Sequence, residues 1–576
     1  MKKIYRINLI IAVLIVFAAV FSFTAFNVGE NTAIAKLQIK DLDHVNKAAE
    51  LVNNRRQSST FNKVSLFEKS QKGNLDALSN FTSKASLLSI DKSELRSINS
   101  TKPNEMNFII PLSDGKNAEA ELVKFNFLPE NFSIKVIGEN GSVSYIKFEG
   151  GLYYQGILKG DNSSIATLSI FDDNVMGIIS TNEGNYILGT VKDENNRVTD
   201  DYIFYNDRDI KTKPGFQCGT DDYAKIFDNP NNNSIPPGSS STTSAVRVRF
   251  VCDHQMYLDN GSNVNQVGQF VSGAFLHVTT LYANEFIPVA LADTITVYTQ
   301  PDPYAGLNDS YEILNLFGSM TQDGFDGDLA HLLSTGHGQQ LGGIAWINVL
   351  CQSYVYFPPP DDAHFGRYAF SNIENSYNPY PVYSWTVMLI SHEMGHNFSS
   401  RHTHACVWPT VSGAIDSCYF SEGGCFPDST ANFNGTIMSY CHLGGAINFT
   451  RGFGPLPGDT IRLGYELAAC IDSALNSSEI PVVFNLLQNY PNPFNPSTNI
   501  TFALPEDGYV TLRIYDLLGR EVTRFINNQY YPVGIFTRTL DASRYSLASG
   551  VYLYKLDVNK SGKLLYSQIK KMVLIK

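Results

Sequence analysis

The chain has 576 residues, which predicts several domains, and its 43% hydrophobic and 17% charged residues are those of a globular rather than a disordered protein. Its formal net charge is −12, with no block of Lys or Arg after the first few residues. That excludes a partner whose phosphates must be neutralised, so no nucleic acid is expected.

Lys2, Lys3 and Arg6 precede an apolar run from Leu9 to about Ala25, followed by small residues. This reads as a secretory signal peptide over residues 1–35, with cleavage after Ala25 or Ala35. The alternative is an uncleaved anchor, but the run sits at the short edge of the ~17 to 25 residues that span a bilayer. No stable membrane span is therefore expected after cleavage.

Residues 36–230 begin irregularly and then alternate in strand-like runs, clearest at Tyr153–Gly160 and Ile165–Ile170, with no catalytic cluster among them. One reading of these runs is an independent β-sandwich binding domain. Asp228–Ser244 is rich in Asn, Pro, Gly and Ser without apolar periodicity, and residues 231–244 are assigned as an exposed linker. A new fold is expected over 245–477. Val246, Val248 and Phe250 alternate as a strand; Val267, Phe270, Val271, Ala274, Phe275, Val278 and Leu281 keep helical spacing. Leu291–Tyr298 returns to strand, Ile313–Met320 to helix, and Gly343–Leu350 to strand. Strands alternating with helices predict an α/β domain with a mostly parallel twisted sheet.

The chemistry lies in His392-Glu393-Met394-Gly395-His396-Asn397-Phe398-Ser399-Ser400-Arg401-His402. Val387, Leu389, Ile390 and Met394 make this a helix, so His392 and His396, at i and i+4, share one face and can grip one ion. Glu393 sits one step round, where it can reach a water on the open side of the metal and serve as general base. A chain that turns after Asn397 or Phe398 returns His402 as third ligand. Three protein ligands leave zinc a fourth position for water, whose pKa then falls to about 7.

This array resembles the metzincin metallopeptidase motif H-E-x-x-H-x-x-G-x-x-H, with Ser399 in place of the Gly that permits the sharp turn. Gly435-Thr436-Ile437-Met438-Ser439-Tyr440 resembles the Met-turn beneath the metal, centred on Met438. By the same resemblance Gly343–Leu350 becomes the sheet edge that aligns an extended peptide, and Tyr440 a candidate to stabilise the transition state. Gly151–Gly189, with Tyr154, Gly156, Gly160, Ser164, Leu168, Ser169, Gly177 and Ile178, resembles the propeptide of reprolysin-type metzincins. On that likeness residues 36–230 are a propeptide that keeps a peptidase inert until export. Thr403 follows the last His where reprolysins typically have Asp, which makes the chain a relative rather than a central member.

Eight cysteines in an exported chain make disulfides the default, with about 105 pairings open. Cys406, Cys418, Cys425 and Cys441 surround the loop between the third His and the Met-turn, and no C-x-x-C pair supports a zinc ribbon. The reprolysin resemblance implies a bridge between Cys351 and Cys470. Cys218, in Cys218-Gly219-Thr220, resembles a cysteine switch whose thiolate fills the fourth zinc position; the other reading is a disulfide, with Cys252 as one partner. No D-x-D-x-D loop supports a structural Ca2+, which is left open.

Residues 478–576 change to strand runs and turns, among them Leu512–Val522 and Ala548–Tyr554, and predict a small all-β sandwich. From Gln488-Asn489-Tyr490-Pro491-Asn492-Pro493-Phe494 onward this stretch resembles the C-terminal sorting domain of type IX secretion, which implies that secretion machinery as a partner; a carbohydrate- or protein-binding sandwich is the alternative. The expectation is a multidomain, secreted or cell-surface zinc endopeptidase with protein or peptide substrates: signal peptide, β-rich prosegment, metzincin domain and sorting domain. A surface adhesin keeping the fold is the competing reading.

Overall fold

The computed structural model describes residues 46–70, 75–211, 218–220, 245–471 and 484–574, apart from single residues and short segments inside those spans. The expected signal peptide, the expected linker at 231–244 and Cys470 lie outside the described residues. Among those described, no helix is long and apolar enough to cross a membrane. The chain divides into two compact units, one holding residues 58–229 and 247–464, the other chiefly 465–576.

Two sheets organise the first unit. One has ten strands drawn from residues 63–206, mostly antiparallel neighbours such as Leu152–Leu158 beside Ile165–Ile170. Its apolar side chains, including Leu122, Tyr154, Leu168 and Phe204, form their own core.

The second sheet carries the site. Its main strands are β1 (Ser133–Ile137), β2 (Val143–Lys147), β3 (Val246–Cys252), β4 (Thr294–Tyr298), β5 (Leu329–Ser334), β6 (Gly343–Ala345) and β7 (Tyr368–Asn372), in the order β6-β7-β5-β3-β4-β1-β2. It is parallel through the middle and antiparallel at both edges. β1 and β2 come from the region ahead of the linker, and β1 pairs in parallel with β4. The run expected at Leu291–Tyr298 is split, with Val289–Leu291 pairing separately beside β3.

The strand expected over Gly343–Leu350 is only three residues long. Beyond Ala345 the chain leaves the sheet to satisfy a helix end: Asn348 N–H donates to the His396 carbonyl at 3.0 Å and Val349 N–H to that of Asn397 at 3.0 Å. The last carbonyls of a helix have no partner within it, so a passing backbone that supplies N–H groups gains more there than by extending a sheet edge.

Two long helices pack against this sheet, α1 (Val264–Asn284) and α2 (Tyr383–Asn397), and every residue of α2 is buried. A helix that is enclosed on all sides positions its side chains rigidly. α1 lies between the two sheets with two different faces. Phe275 meets Phe250 of β3 and Phe270 meets Tyr383 of α2. Towards the ten-stranded sheet it presents polar or small groups: Gln266 and Gln269 donate to Asp173, Ser272 accepts from Tyr153 at 3.0 Å, Thr280 from Gln155 at 2.8 Å, and His277 bonds Thr167 at 2.9 Å.

The second unit consists of a three-stranded sheet and a four-stranded sheet. Ile500, Phe502 and Leu540 from the first share one hydrophobic cluster with Leu512, Ile514, Leu556 and Met572 from the second. This is a β-rich C-terminal unit with its own core.

Candidate active site

Helix α2 carries His392 and His396 one turn apart, with Glu393 next to His392, and its exit turn returns His402 to the same point. The turn is a Schellman motif: Ser400 N–H bonds the Gly395 carbonyl at 2.9 Å and Ser399 N–H that of His396 at 2.9 Å. The motif needs a residue with positive φ at its fifth position, and Ser399 takes φ 90° there. A side chain in that region costs roughly 1 kcal/mol. Ser399 Oγ offsets part of it by donating to Asn348 Oδ1 at 2.8 Å.

The three rings converge through Nε2, with His392 and His396 at 2.9 and 3.1 Å from His402. Each Nδ1 faces an acceptor: the Ile437 carbonyl for His392 at 2.8 Å, the Ser400 carbonyl for His396 at 2.8 Å, and the Glu422 carboxylate for His402 at 2.9 Å. Those acceptors cannot donate, so each Nδ1 carries the hydrogen and each Nε2 presents a bare lone pair. Burial, and then the neighbouring imidazoles, hold His392 and His396 well below the usual imidazole range, which keeps both neutral. Three lone pairs pointed at one another with no proton between them fit a cation. Zinc, which takes imidazole nitrogen readily, suits this donor set.

Met438 is fully buried beneath α2, and its turn supplies the Ile437 carbonyl to His392 while the Met438 carbonyl accepts from Thr403 N–H at 3.0 Å. Glu393 lies under β6, close enough that a Cβ at Gly343 would sit 2.2 Å from its Oε1. Only glycine there lets the carboxylate pass beneath the strand.

Cys218 is brought to the same place. Its Sγ is 3.7 Å from His396 Nε2, 3.4 Å from Glu393 Oε2 and 3.0 Å from Thr220 Oγ1, and it forms one candidate metal-holding group with His392, His396 and His402. Neither Cys218 nor Cys252 forms a disulfide. The neighbouring backbone lies along the free edge of β6: Gly219 N–H donates to the Gly343 carbonyl at 2.9 Å, and Thr220 Oγ1 accepts from Ala345 N–H at 3.1 Å and donates to its carbonyl at 3.3 Å. Tyr440 is buried against His402, ring centroids 4.8 Å apart; its hydroxyl accepts from Cys218 N–H at 2.7 Å and donates to the Cys218 carbonyl at 3.1 Å.

Disulfides Cys406–Cys425 and Cys418–Cys441 close the loop between His402 and the Met-turn. Cys351 is disulfide-bonded, while its expected partner Cys470 is outside the described residues. His404 stacks on His402 at 5.1 Å and pairs with Glu422. Among the described residues, every group able to hold a metal includes His or Cys, and none is the all-oxygen site calcium takes. Sequence reasoning missed Glu422, a lone carboxylate twenty positions past His402, because only folding of the disulfide loop brings it to that ring.

Comparison with known proteins agrees with this geometry. Residues 242–449 match metallo-peptidase family M12 in its reprolysin-like form, and residues 488–574 match a secretion system C-terminal sorting domain. No curated protein matches the chain. Among solved structures, metalloproteinase-II from Bacteroides fragilis is similar at 14% identity and TM-score 0.30, covering 54% of this chain and 85% of its own. OgpA from Akkermansia muciniphila gives 12% identity and TM-score 0.22 over 60% of this chain and 97% of its own. Latent PorU from Porphyromonas gingivalis gives 28% and 0.15 over 16% and 9%. The sorting domain directs its carrier to the cell surface or the extracellular space. The chain is a zinc metalloendopeptidase in which residues 242–449 are similar to metallo-peptidase family M12 and residues 488–574 to a type IX secretion sorting domain.

Proposed function

We propose that this chain is made as a latent preproprotein and, once exported, hydrolyses peptide bonds of extracellular proteins. His392, His396 and His402 hold the zinc, Glu393 is the general base, and Cys218 plugs the site until removed. Signal peptide 1–35, propeptide 36–230, linker 231–244, peptidase domain 245–477 and sorting domain 478–576 are the corresponding parts. The observation that carries this reading is the meeting of three bare imidazole nitrogens, a carboxylate and the Cys218 thiol at one point beneath a sheet edge.

Zinc bound there supplies Lewis acidity, lowering the pKa of a water and polarising the scissile carbonyl. Glu393 takes a proton from the attacking water and passes it to the leaving amine, the two halves of general acid–base work. β6 binds the substrate backbone through the N–H and C=O groups that Gly219 and Thr220 now occupy. The Tyr440 hydroxyl, released from the Cys218 backbone, donates to the oxygen that gains charge in the transition state. A removable prosegment is supported by the polar face α1 turns towards the ten-stranded sheet, since those groups can exchange their bonds for water.

The test is casein hydrolysis by the full chain and by linker-cleaved protein, with and without a chelator. Hydrolysis should appear on cleavage and vanish with chelator, and Cys218→Ala should hydrolyse before cleavage. The intact chain should show a zinc–sulfur distance of about 2.3 Å by X-ray absorption. A latent Cys218→Ala chain with only nitrogen and oxygen around zinc would remove the thiol from the mechanism, and chelator-insensitive matrix binding without cleavage would favour the adhesin.

A further inference from the structure

We propose that Glu422 is a positioning residue for the metal, fixing the third imidazole, and that the Cys406–Cys425 disulfide keeps it there; this rests on the zinc reading of His402. The three rings are oriented by different means. His392 and His396 give their Nδ1–H to main-chain carbonyls of the Met-turn and of the helix exit. His402 gives its Nδ1–H to a side chain, Glu422 Oε1 at 2.9 Å. The same carboxylate takes the Nε2–H of His404, whose ring lies flat on His402 with 7° between planes.

Glu422 is tied back to the chain segment that follows His402. Cys406 N–H donates to its carbonyl at 2.8 Å, its own N–H donates to the His404 carbonyl at 3.3 Å, and Ala405 and Glu422 form an isolated bridge. The disulfide joins the two chain segments at that bridge. A carboxylate on Nδ1–H selects the tautomer with a bare Nε2, stops the ring rotating, and makes Nε2 more basic. Glu422 thus acts on the metal through His402, from a loop that the covalent link prevents from drifting.

The experiment measures zinc affinity of the full chain by competition with a chelator of known strength, without reference to turnover. Glu422→Ala should bind zinc about 10- to 100-fold more weakly than the parent. Glu422→Gln keeps an oxygen that accepts from Nδ1–H, and should recover most of the loss. If Glu422→Ala does not fold, Glu422→Asp, one methylene shorter and drawn back from His402, should show the deficit against Glu422→Gln. The Co2+-loaded Ala or Asp chain should also differ from the parent in its visible spectrum, which a remote structural role would leave alone. Parent-like zinc affinity in the folded Ala or Asp variant, or Glu422→Gln binding no better than that variant, overturns the proposal. A parent that binds no zinc at all instead overturns the zinc reading.

Discussion

Tyr440→Phe should push the two states of this protein in opposite directions. In the latent chain the hydroxyl holds the Cys218 main chain by two hydrogen bonds, at 2.7 and 3.1 Å, inside a buried site. Phe leaves the Cys218 N–H and carbonyl without that partner, at a cost of roughly 1–3 kcal/mol. Since about 1.4 kcal/mol is tenfold in an equilibrium constant, the plug should open about 5- to 140-fold more often. If the same hydroxyl acts on the transition state after linker cleavage, as proposed, its loss should lower kcat by about 10²- to 10³-fold with KM little changed. Opening is read by alkylation of Cys218 in the intact chain, located by peptide mapping so that the buried Cys252 does not confuse it. Turnover is read on the cleaved form. An unchanged kcat would leave Tyr440 as packing against His402, and an unchanged alkylation rate would show that its two bonds do not hold the plug.

Glu393→Ala should keep zinc at parent stoichiometry by metal analysis while turnover drops by at least about 10²-fold, because the three histidines are untouched and only the base is gone; near-normal turnover would reassign Glu393. Burial alone presses His277, at the seam with the ten-stranded sheet, down to about 3. Its folded pKa therefore lies below the usual 6.5, so stability is full above about 6.5 and is lost as pH falls towards 3. Between pH 7 and pH 5 the latent chain should lose ~2 kcal/mol through this one ring, and His277→Gln should flatten that part of the denaturation profile; an unaltered slope would refute the assignment. Removing the chain from about Pro481 onward should leave a folded peptidase, active once the linker is cleaved, in the periplasm, as shown by cell fractionation, because the sorting unit has a core of its own; arrival of the truncated protein in the medium would make that unit a binding module.

The helix that carries His392 and His396 was legible because helical period is a local property: two residues four apart share a face, and a turn after Asn397 or Phe398 allows His402 to return to them. The metal chemistry follows from residue types and spacing, and so does the C-terminal unit from its alternating strands. Ser399 could be marked as standing at a strained turn, yet only the folded helix exit shows the positive φ and the Asn348 bond that offsets it. The early end of β6 depended on which unsatisfied groups lay nearest, and those were carbonyls of a helix some fifty residues later in the chain. Which thiol meets the histidines, which carboxylate orients His402, and how a hairpin ahead of the linker joins the peptidase sheet through β1 and β4 are likewise contacts between distant segments. A single sequence carries periodicity and chemistry along its length; it holds no signal for pairings that arise only when separate cores pack against one another.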